Sequence, residues 1–215
     1  IPAYNEERSI GLVIQEIKQV MNKTDYNYKI SIVNDGSRDS TIEAAKKAGA
    51  IVHSHPYNYG LAETFRTEMK QALNLKADII VHTDADGQYL AQEIPRLIKE
   101  VENGYDLVLG SRFRGKIVHM SFLKRLGNKA FSKVISQITR LRITDGQTGF
   151  RAFTKEVAKL DIISSHTYTQ EQIIKAVFNK FRIKEIPVYF DTRKHGKSRL
   201  LKNPLEYAVK AWINL

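Results

Sequence analysis

Two carboxylates one residue apart, Asp84 and Asp86, follow a short apolar run near the middle of the chain. The run, residues 79–81, is rich in β-branched side chains, which is typical of a strand buried on both faces of a parallel sheet. In open α/β sheets, ligands bind beyond the carboxyl ends of the strands, where these carboxylates would lie. Their oxygens are the hard ligands that Mg²⁺ or Mn²⁺ prefers, usually together with water and substrate phosphates. The pair alone is equally compatible with a solvated acidic turn.

Polar side chains also follow two other predicted strands. Tyr4 and Glu6 come after a strand end at the start of the chain, and Asp35 follows the strand predicted over residues 29–33. Because the carboxyl ends of parallel strands meet at one edge of a sheet, we expect these residues and the two central carboxylates to line one cleft. Carboxylates there suit ribose hydroxyls, a base edge and a metal, which are the requirements of a nucleotide diphosphate.

A late cationic loop supplies the opposite charge. It contains Arg193 and Arg199, whose guanidinium groups suit the phosphates of a metal-bound diphosphate. The chain lacks the G-x-x-x-x-G-K-S/T pattern, which excludes a P-loop, and it lacks G-x-G-x-x-G, which argues against a dinucleotide-binding Rossmann site. The residues alone therefore indicate an α/β domain that binds an anion.

Helix and strand patterns alternate along the chain. Apolar stripes at helical spacing predict helices over residues 10–17, 42–48, 65–73 and 93–101. Short β-rich runs lie between them, so the alternation predicts an α/β fold with a doubly wound, mainly parallel sheet and helices on both faces. Further along, we expect a loop over residues 145–151, a helix over 168–178 and a strand over 182–190, with Pro187 at an edge or a bulge.

The chain has 215 residues, enough for one large α/β domain, and we expect a single domain over residues 1–215. It opens on Ile1-Pro2 at a strand end, so we expect a fragment that lacks its first strand and that could lack a C-terminal extension. A net charge of +11, from 34 Lys and Arg against 23 Asp and Glu, predicts an anionic partner. The absence of cysteine excludes disulfides and thiolate metal sites.

The positive charge is concentrated in one stretch. No acidic residue occurs between Arg112 and Thr144, and helical spacing there relates six apolar residues: Leu123, Leu126, Ala130, Val134, Ile138 and Leu141. This pattern predicts a basic amphipathic helix. Two interpretations stay open: the helix faces an anionic membrane surface, or it docks on the sheet through its apolar stripe and leaves a solvated basic face.

Six ordered motifs carry a family resemblance: Pro2-Ala-Tyr4-Asn5-Glu6-Glu7, Asn34-Asp35-Gly36-Ser37, Asp84-Ala85-Asp86-Gly87-Gln88, Gly110-Ser111-Arg112-Phe113, Gln147-Thr148-Gly149-Phe150-Arg151 and Arg193-Lys-His-Gly196-Lys-Ser198-Arg199. In this order they resemble the family 2 glycosyltransferases of the GT-A fold. The similarity is strongest to polyprenyl-phosphate sugar transferases of the dolichol-phosphate mannose synthase type. It covers nearly the whole chain, and six motifs in order are far more specific than any one of them.

The resemblance implies a role for each matching position. It implies nucleoside contacts from Pro2, Tyr4, Glu6 and Asp35, ribose or diphosphate contacts from Asp84 and Ala85, and a Mg²⁺ or Mn²⁺ ion held by Asp84, Asp86 and Gln88. It implies acceptor-phosphate contacts from Arg112, Gln147 and Arg151, and donor-diphosphate contacts from Arg193 and Arg199. Catalysis would rest on Asp86, Arg112 and Arg199.

The reaction implied by the resemblance is an inverting transfer by direct displacement, from a donor of the GDP-mannose or UDP-glucose type to a polyprenyl or dolichyl phosphate. The metal and the arginines would stabilise the departing diphosphate. A phosphate acceptor is already largely dianionic at neutral pH and needs no strong base. A sugar hydroxyl would need one, and Glu171 is the candidate. The expected location is peripheral, on the cytoplasmic face of a membrane, or anchored there by segments outside this chain.

Three other functions stay open at this point. One is a family 2 transferase that acts on a hydroxyl in polysaccharide or glycan synthesis, although the Gln-x-x-Arg-Trp segment usual in processive synthases is absent. The second is a basic nucleic-acid-binding domain, which would explain the charge but not Asp84 and Asp86, and we expect no nucleic-acid partner. The third is a sugar-nucleotide-binding relative without catalysis.

Overall fold

The structure is a computed structural model, and it describes residues 1–193. The predicted loop position Arg199 lies outside the described residues. The strands are β1 (Pro2–Ala3), β2 (Ser31–Asn34), β3 (Ile51–Ser54), β4 (Ile79–His82), β5 (Leu107–Ile117), β6 (Arg151–Thr154) and β7 (Ile183–Phe190). The helices are α1 (Ile10–Met21), α2 (Thr41–Lys47), α3 (Leu61–Asn74), α4 (Ile94–Glu102), α5 (Phe122–Thr139), α6 (Lys155–Ala158) and α7 (Tyr168–Phe178), with a 3₁₀ turn at Ala91–Glu93.

The strands form two sheets. The first has the order β1-β2-β3 with all strands parallel, and the second has the order β4-β6-β5-β7. Strands β5 and β7 are parallel, whereas β6 runs antiparallel to both of its neighbours. The prediction of an α/β fold with mainly parallel strands is confirmed. Strand β7 lies at the sheet edge, and its register against β5 shifts between Ser111 and Lys116, as Pro187 led us to expect.

Helices cover both faces of the second sheet. Leu107 and Leu109 of β5 pack in a core with side chains from α3, α5 and α7, whereas Val108 between them packs in a second core with α1 and α4. Alternate residues of one strand thus enter two different cores, which is why the buried strands are apolar without a break. Because both faces of these strands are buried, the polar residues lie at the ends of the strands.

Strand β6 was missed by the sequence analysis, which interpreted residues 145–151 as a loop and assigned no strand after it. Arg151 opens β6 and pairs with His82 of β4 and Leu109 of β5. A four-residue strand that begins with arginine carries no alternation that a sequence pattern could reveal. It becomes a strand only because β4 and β5 both supply a hydrogen-bonding edge.

Helix α5 docks through a face other than the predicted one. Its buried residues are Asn128, Phe131, Ser132, Ile135 and Thr139. Of the predicted apolar stripe, Leu123 is 76% exposed and Leu126 is 56% exposed. The polar face is buried because it anchors the following loop: Ser132 Oγ accepts the Gly146 N–H at 3.0 Å, and Ser136 Oγ accepts the Ile143 N–H at 3.0 Å. The interpretation that the leucine stripe docks on the sheet is therefore wrong.

Among residues 1–193, none of the helices combines the length and the apolar character that crossing a bilayer requires.

Candidate functional site

The central site is the turn that follows β4. Gly87 adopts a φ of +73°, a left-handed conformation that glycine enters without steric cost, and the chain reverses there. Asp86 Oδ1 accepts the backbone N–H of Gln88 at 3.0 Å, which fixes the carboxylate within the turn. Ala85, between the two carboxylates, is buried in the core.

Asp84 lies against the loop that precedes β6. A Cβ added to Gly149 would lie 2.9 Å from Asp84 Oδ1, so only a glycine leaves room for this carboxylate. Partial burial, followed by the charge of Asp86, raises the pKa of Asp84 to about 6. Two adjacent carboxylates in a cleft are therefore costly to ionise together, and the site favours a cation beside them.

One such cation is Arg193. Its guanidinium donates from one nitrogen to Glu6 Oε1 at 3.0 Å and from another to Asp86 Oδ2 at 3.0 Å. Glu6 is itself oriented by Ser9, whose Oγ donates to Glu6 Oε2 at 2.9 Å. The carboxylates after β1 and β4 thus meet at one guanidinium, although the two strands belong to different sheets.

Gln88 connects the central turn to the segment that carries Arg193. Its side-chain Nε2 donates to the Asp191 carbonyl at 2.9 Å, and its own carbonyl accepts the Asp191 N–H at 2.9 Å. These two bonds hold Arg193, two residues further on, over Asp86. The role of Gln88 as a metal ligand stays a prediction, since the contact seen for its amide is this link between loops.

Asp35 follows β2 and holds the loop that follows β3. Its carboxylate accepts the N–H groups of Tyr59 and Gly60 at 2.9 and 2.8 Å, and it pairs with His55 Nδ1 at 2.9 Å. Both oxygens are engaged, so Asp35 shapes the loop over residues 55–60. Pro2 is buried in β1, and Tyr4 is half-buried just beyond it. Direct contacts of these residues with a nucleoside stay predictions.

Arg112 is held by a buried carboxylate. Its Nε and one terminal nitrogen donate to the two oxygens of Asp145, each at 2.7 Å, and its backbone N–H donates to the same group at 2.9 Å. Asp145 is fully buried and Arg112 is 5% exposed. Behind the pair, Glu185 accepts the Asp145 N–H at 2.9 Å and the Thr144 hydroxyl at 2.8 Å. Two of the five guanidinium N–H donors are therefore committed to Asp145, and the plane of the group is fixed.

Lys124 is a cation of the site that the sequence analysis counted only as one of many basic residues. It lies in the first turn of α5 and is half-buried. Burial, then the nearby Arg112, lowers its pKa, while the charges of Asp84 and Asp86 act in the opposite sense. Lys124 therefore lies near enough to the cleft for the charges of Arg112, Asp84 and Asp86 to act on its ammonium group. The only sequence signal that could have placed Lys124 in the first turn of α5 was Ser121, which caps that helix.

Two predicted roles are corrected by the structure. Arg151 is fully buried, and its guanidinium donates to the Thr169 and Thr148 carbonyls and to Gln172 Oε1, so it supports the loop and is out of reach of an acceptor. Glu171 accepts the N–H groups of Ile163 and Ser164 at 3.0 and 2.7 Å. Burial opposes ionisation, but these bonds and Lys175 lower the pKa of Glu171, which makes it a poor general base.

Gln147 is half-buried in the loop between Asp145 and β6, beside the residues that hold Arg112. Its contact with an acceptor phosphate stays a prediction.

Asp84 and Asp86 suit a divalent ion that takes its remaining ligands from water and phosphate oxygens. In the part of the chain that the structure describes, no group of three or more acidic or histidine side chains is arranged to hold a metal. Asp84 and Asp86 would supply two hard oxygens, and burial together with the charge of Asp86 raises the pKa of Asp84. Mg²⁺ and Mn²⁺ are bound in this way, by one or two carboxylates with water and phosphate oxygens.

Comparison with known proteins adds independent findings. The family model for glycosyl transferase family 2 matches residues 1–160. A dolichyl-phosphate hexose transferase of Haloferax volcanii is 31% identical over 201 residues, 92% of this chain and 83% of that protein. A UDP-N-acetylglucosamine–dolichyl-phosphate N-acetylglucosaminyltransferase of Methanococcus voltae is 32% identical over 213 residues, with 87% and 82% covered.

Among solved structures, glucosyl-3-phosphoglycerate synthase from Mycobacterium tuberculosis, in complex with Mn²⁺, uridine diphosphate and glucosyl-3-phosphoglycerate, superposes with a TM-score of 0.71. The two sequences are 19% identical, and the match covers 93% of this chain and 71% of that one. The likeness establishes a shared GT-A architecture.

The close approach of Gly149 to Asp84 predicts that one methyl group added at residue 149 will move the Asp84 carboxylate. Gly149→Ala should displace the Asp84 carboxylate and weaken Mn²⁺ binding about tenfold, a loss of ~1.4 kcal/mol, measured from free Mn²⁺ by electron paramagnetic resonance. The matched control is Gly127→Ala in α5, where an added Cβ meets no atom within 4 Å. Equal Mn²⁺ affinities for the two variants would contradict the placement of Asp84.

The buried pair predicts a large cost for Asp145→Asn. Removing one charge leaves the Arg112 guanidinium uncompensated, which should lower the free energy of unfolding by about 3 kcal/mol in urea titrations. Asp78→Asn makes the same chemical change in the exposed pair with Lys155 and should cost less than about 1 kcal/mol. If both variants lost the same stability, Asp145 would not be the anchor of Arg112.

Proposed function

The chain belongs to glycosyl transferase family 2 and is a glycosyltransferase, and from this premise we propose that it transfers a sugar from a nucleotide diphosphate to a polyprenyl or dolichyl phosphate. The observation that carries the proposal is the pair Asp84 and Asp86 at the end of β4, with a guanidinium already drawn to Asp86. The names of the two dolichyl-phosphate relatives support the choice of acceptor.

The donor side of the proposal rests on the carboxylates. Asp84 and Asp86 would hold a divalent ion, which when bound neutralises the diphosphate and stabilises its departure. The mycobacterial structure with Mn²⁺ and uridine diphosphate supports this choice of cofactor. Arg193 lies within 3.0 Å of Asp86, so it is placed to turn from the carboxylate to the diphosphate when both are present. The donor is of the GDP-mannose or UDP-glucose type.

The acceptor side rests on cations. Lys124 and Arg112 approach the cleft from α5 and β5, where they would orient a phosphate for direct attack on the anomeric carbon with inversion. A phosphate with a second pKa near ~6 is mostly dianionic at neutral pH and attacks without a base. A hydroxyl acceptor would require a carboxylate base, and Glu171, the candidate for that role, is occupied by backbone N–H groups. The site therefore favours the phosphate acceptor.

The membrane side rests on the exposed start of α5. Phe122 and Leu123 are each 76% exposed, beside Lys124 and Arg125. Exposed apolar side chains interleaved with basic ones are typical of helices that lie in a membrane interface. The cytoplasmic leaflet carries the negative surface potential that attracts such segments, so we propose a peripheral location on that face.

Donor binding should depend on metal and on pH. Sugar nucleotides of the correct base should raise the melting temperature only with Mn²⁺, and Asp86→Asn should abolish that shift, whereas Asp78→Asn should keep it. Because the pKa of Asp84 is raised to about 6, protonation should weaken Mn²⁺ binding as pH falls through 6, and the affinity should level off above 7. A shift that persists in Asp86→Asn would refute the metal role.

Transfer itself is tested with labelled sugar nucleotides and dolichyl phosphate in detergent micelles, by the label that enters the lipid extract. Lys124→Gln should raise the KM for the lipid phosphate about tenfold and leave the donor melting shift unchanged, because Lys124 faces the acceptor. The control is Lys116→Gln, which likewise removes one positive charge but lies in β5. Label that reaches only soluble hydroxyl acceptors would overturn the proposal.

A further inference from the structure

A second positively charged site lies outside the catalytic cleft. It is a groove of about 330 Å³ between α5 and the loop over residues 142–144. Its walls include Lys129 and Lys133 from the helix, Arg142 from the loop, and the ring of Phe113 at one end. We refer to it as the basic groove.

Within residues 1–193, no acidic side chain forms a salt bridge with the cations of the basic groove. Among the salt bridges formed within residues 1–193, none involves the ammonium groups of Lys129 and Lys133 or the guanidinium of Arg142. The nearest carboxylates along the chain and the sheet are Asp145 and Glu185, and both are turned inward to buried partners. Three cations around an open space make this groove attractive to an anion.

The helix that forms one wall continues into an apolar surface. Phe122, Leu126, Lys129 and Lys133 follow one another at steps of four, three and four residues, so they lie on one face of α5. The first two are exposed apolar side chains and the last two are cations. A face with hydrocarbon at one end and positive charge at the other matches the boundary between acyl chains and phosphate headgroups.

The basic groove is separate from the acceptor end of the cleft. The Phe113 ring stands between the two, with Arg112 Cζ 6.0 Å from its centroid and Lys129 Nζ 5.8 Å from it. Lys124 and Lys133 are nine positions apart on α5, which is about two and a half turns and places them on opposite sides of the helix. The basic groove and the acceptor end of the cleft therefore use different faces of α5.

We propose that the basic groove binds the phosphate headgroup of an anionic membrane lipid that is not the acceptor. This lipid would fix the orientation of α5, with its apolar start in the interface and Lys124 turned to the cleft. The inference rests on the proposed function for the presence of a membrane at this face. The groove and its charge stand on the contacts described above.

The test compares two double variants with equal loss of charge. Lys133→Gln with Arg142→Gln neutralises the groove, and Lys46→Gln with Lys47→Gln neutralises two exposed lysines of α2. Binding of the full chain to phosphatidylcholine vesicles containing phosphatidylglycerol is measured by flotation. The groove variant should lose about tenfold or more in partitioning, since each cation near the surface contributes to binding, and the control should lose less than about twofold.

Equal losses in the two variants, or no loss in the groove variant, would overturn the lipid site. So would a melting shift with millimolar inorganic phosphate that is present in the wild type and absent in the groove variant, because the site would then serve free phosphate. The Mn²⁺-dependent melting shift with a sugar nucleotide should be the same in all three proteins. If the wild type showed no such shift, the proposed function would be contradicted instead. Failure of the lipid site and failure of the proposed function therefore give different results.

Discussion

The site depends on one electrostatic constraint, the placement of Asp84 and Asp86 side by side in a cleft. Repulsion and partial burial raise the pKa of Asp84, so the pair gains from any cation that reaches it. Arg193 meets this need from the far end of the described chain and bonds to Asp86 and Glu6 together. A divalent ion with its diphosphate would meet the same need with higher charge. The surrounding arrangement of cations follows from this excess of negative charge.

Rigid support distinguishes Arg112 from the other cations. Its guanidinium bonds to a fully buried Asp145, whose backbone is held in turn by Glu185 of β7. Such a layered network fixes the plane of the guanidinium and uses two of its five N–H donors. Lys124, half-buried on the first turn of a helix, has the opposite character. The orientation of the Arg112 guanidinium is thus set by its buried partner, Asp145.

The sequence could predict those features that depend on position along a strand. Asp84 and Asp86 at the end of β4, and Glu6 beyond β1, lie where the strand pattern placed them, because a buried strand must end where polarity begins. Arg151 was assigned to a ligand because motif order identifies a residue without showing which way its side chain points, and Glu171 was proposed as a base without knowledge of its hydrogen-bond partners. The docked face of α5 was missed for a similar reason: loop anchors at Ser132 and Ser136 outweigh the leucine stripe, and no periodicity encodes them.

The distribution of charge favours binding to an anionic surface over binding to a polyanion that wraps around the molecule. Residues 112–144 contain nine Lys and Arg and no acid, whereas the rest of the chain has 25 basic and 23 acidic residues and is nearly neutral. A nucleic-acid site would place this charge around stacking aromatic groups, but on α5 it is interleaved with exposed Phe122, Leu123 and Leu126. Exposed apolar side chains of this kind gain free energy only when they leave water, and a membrane interface removes them from water at the point where the cations meet phosphate.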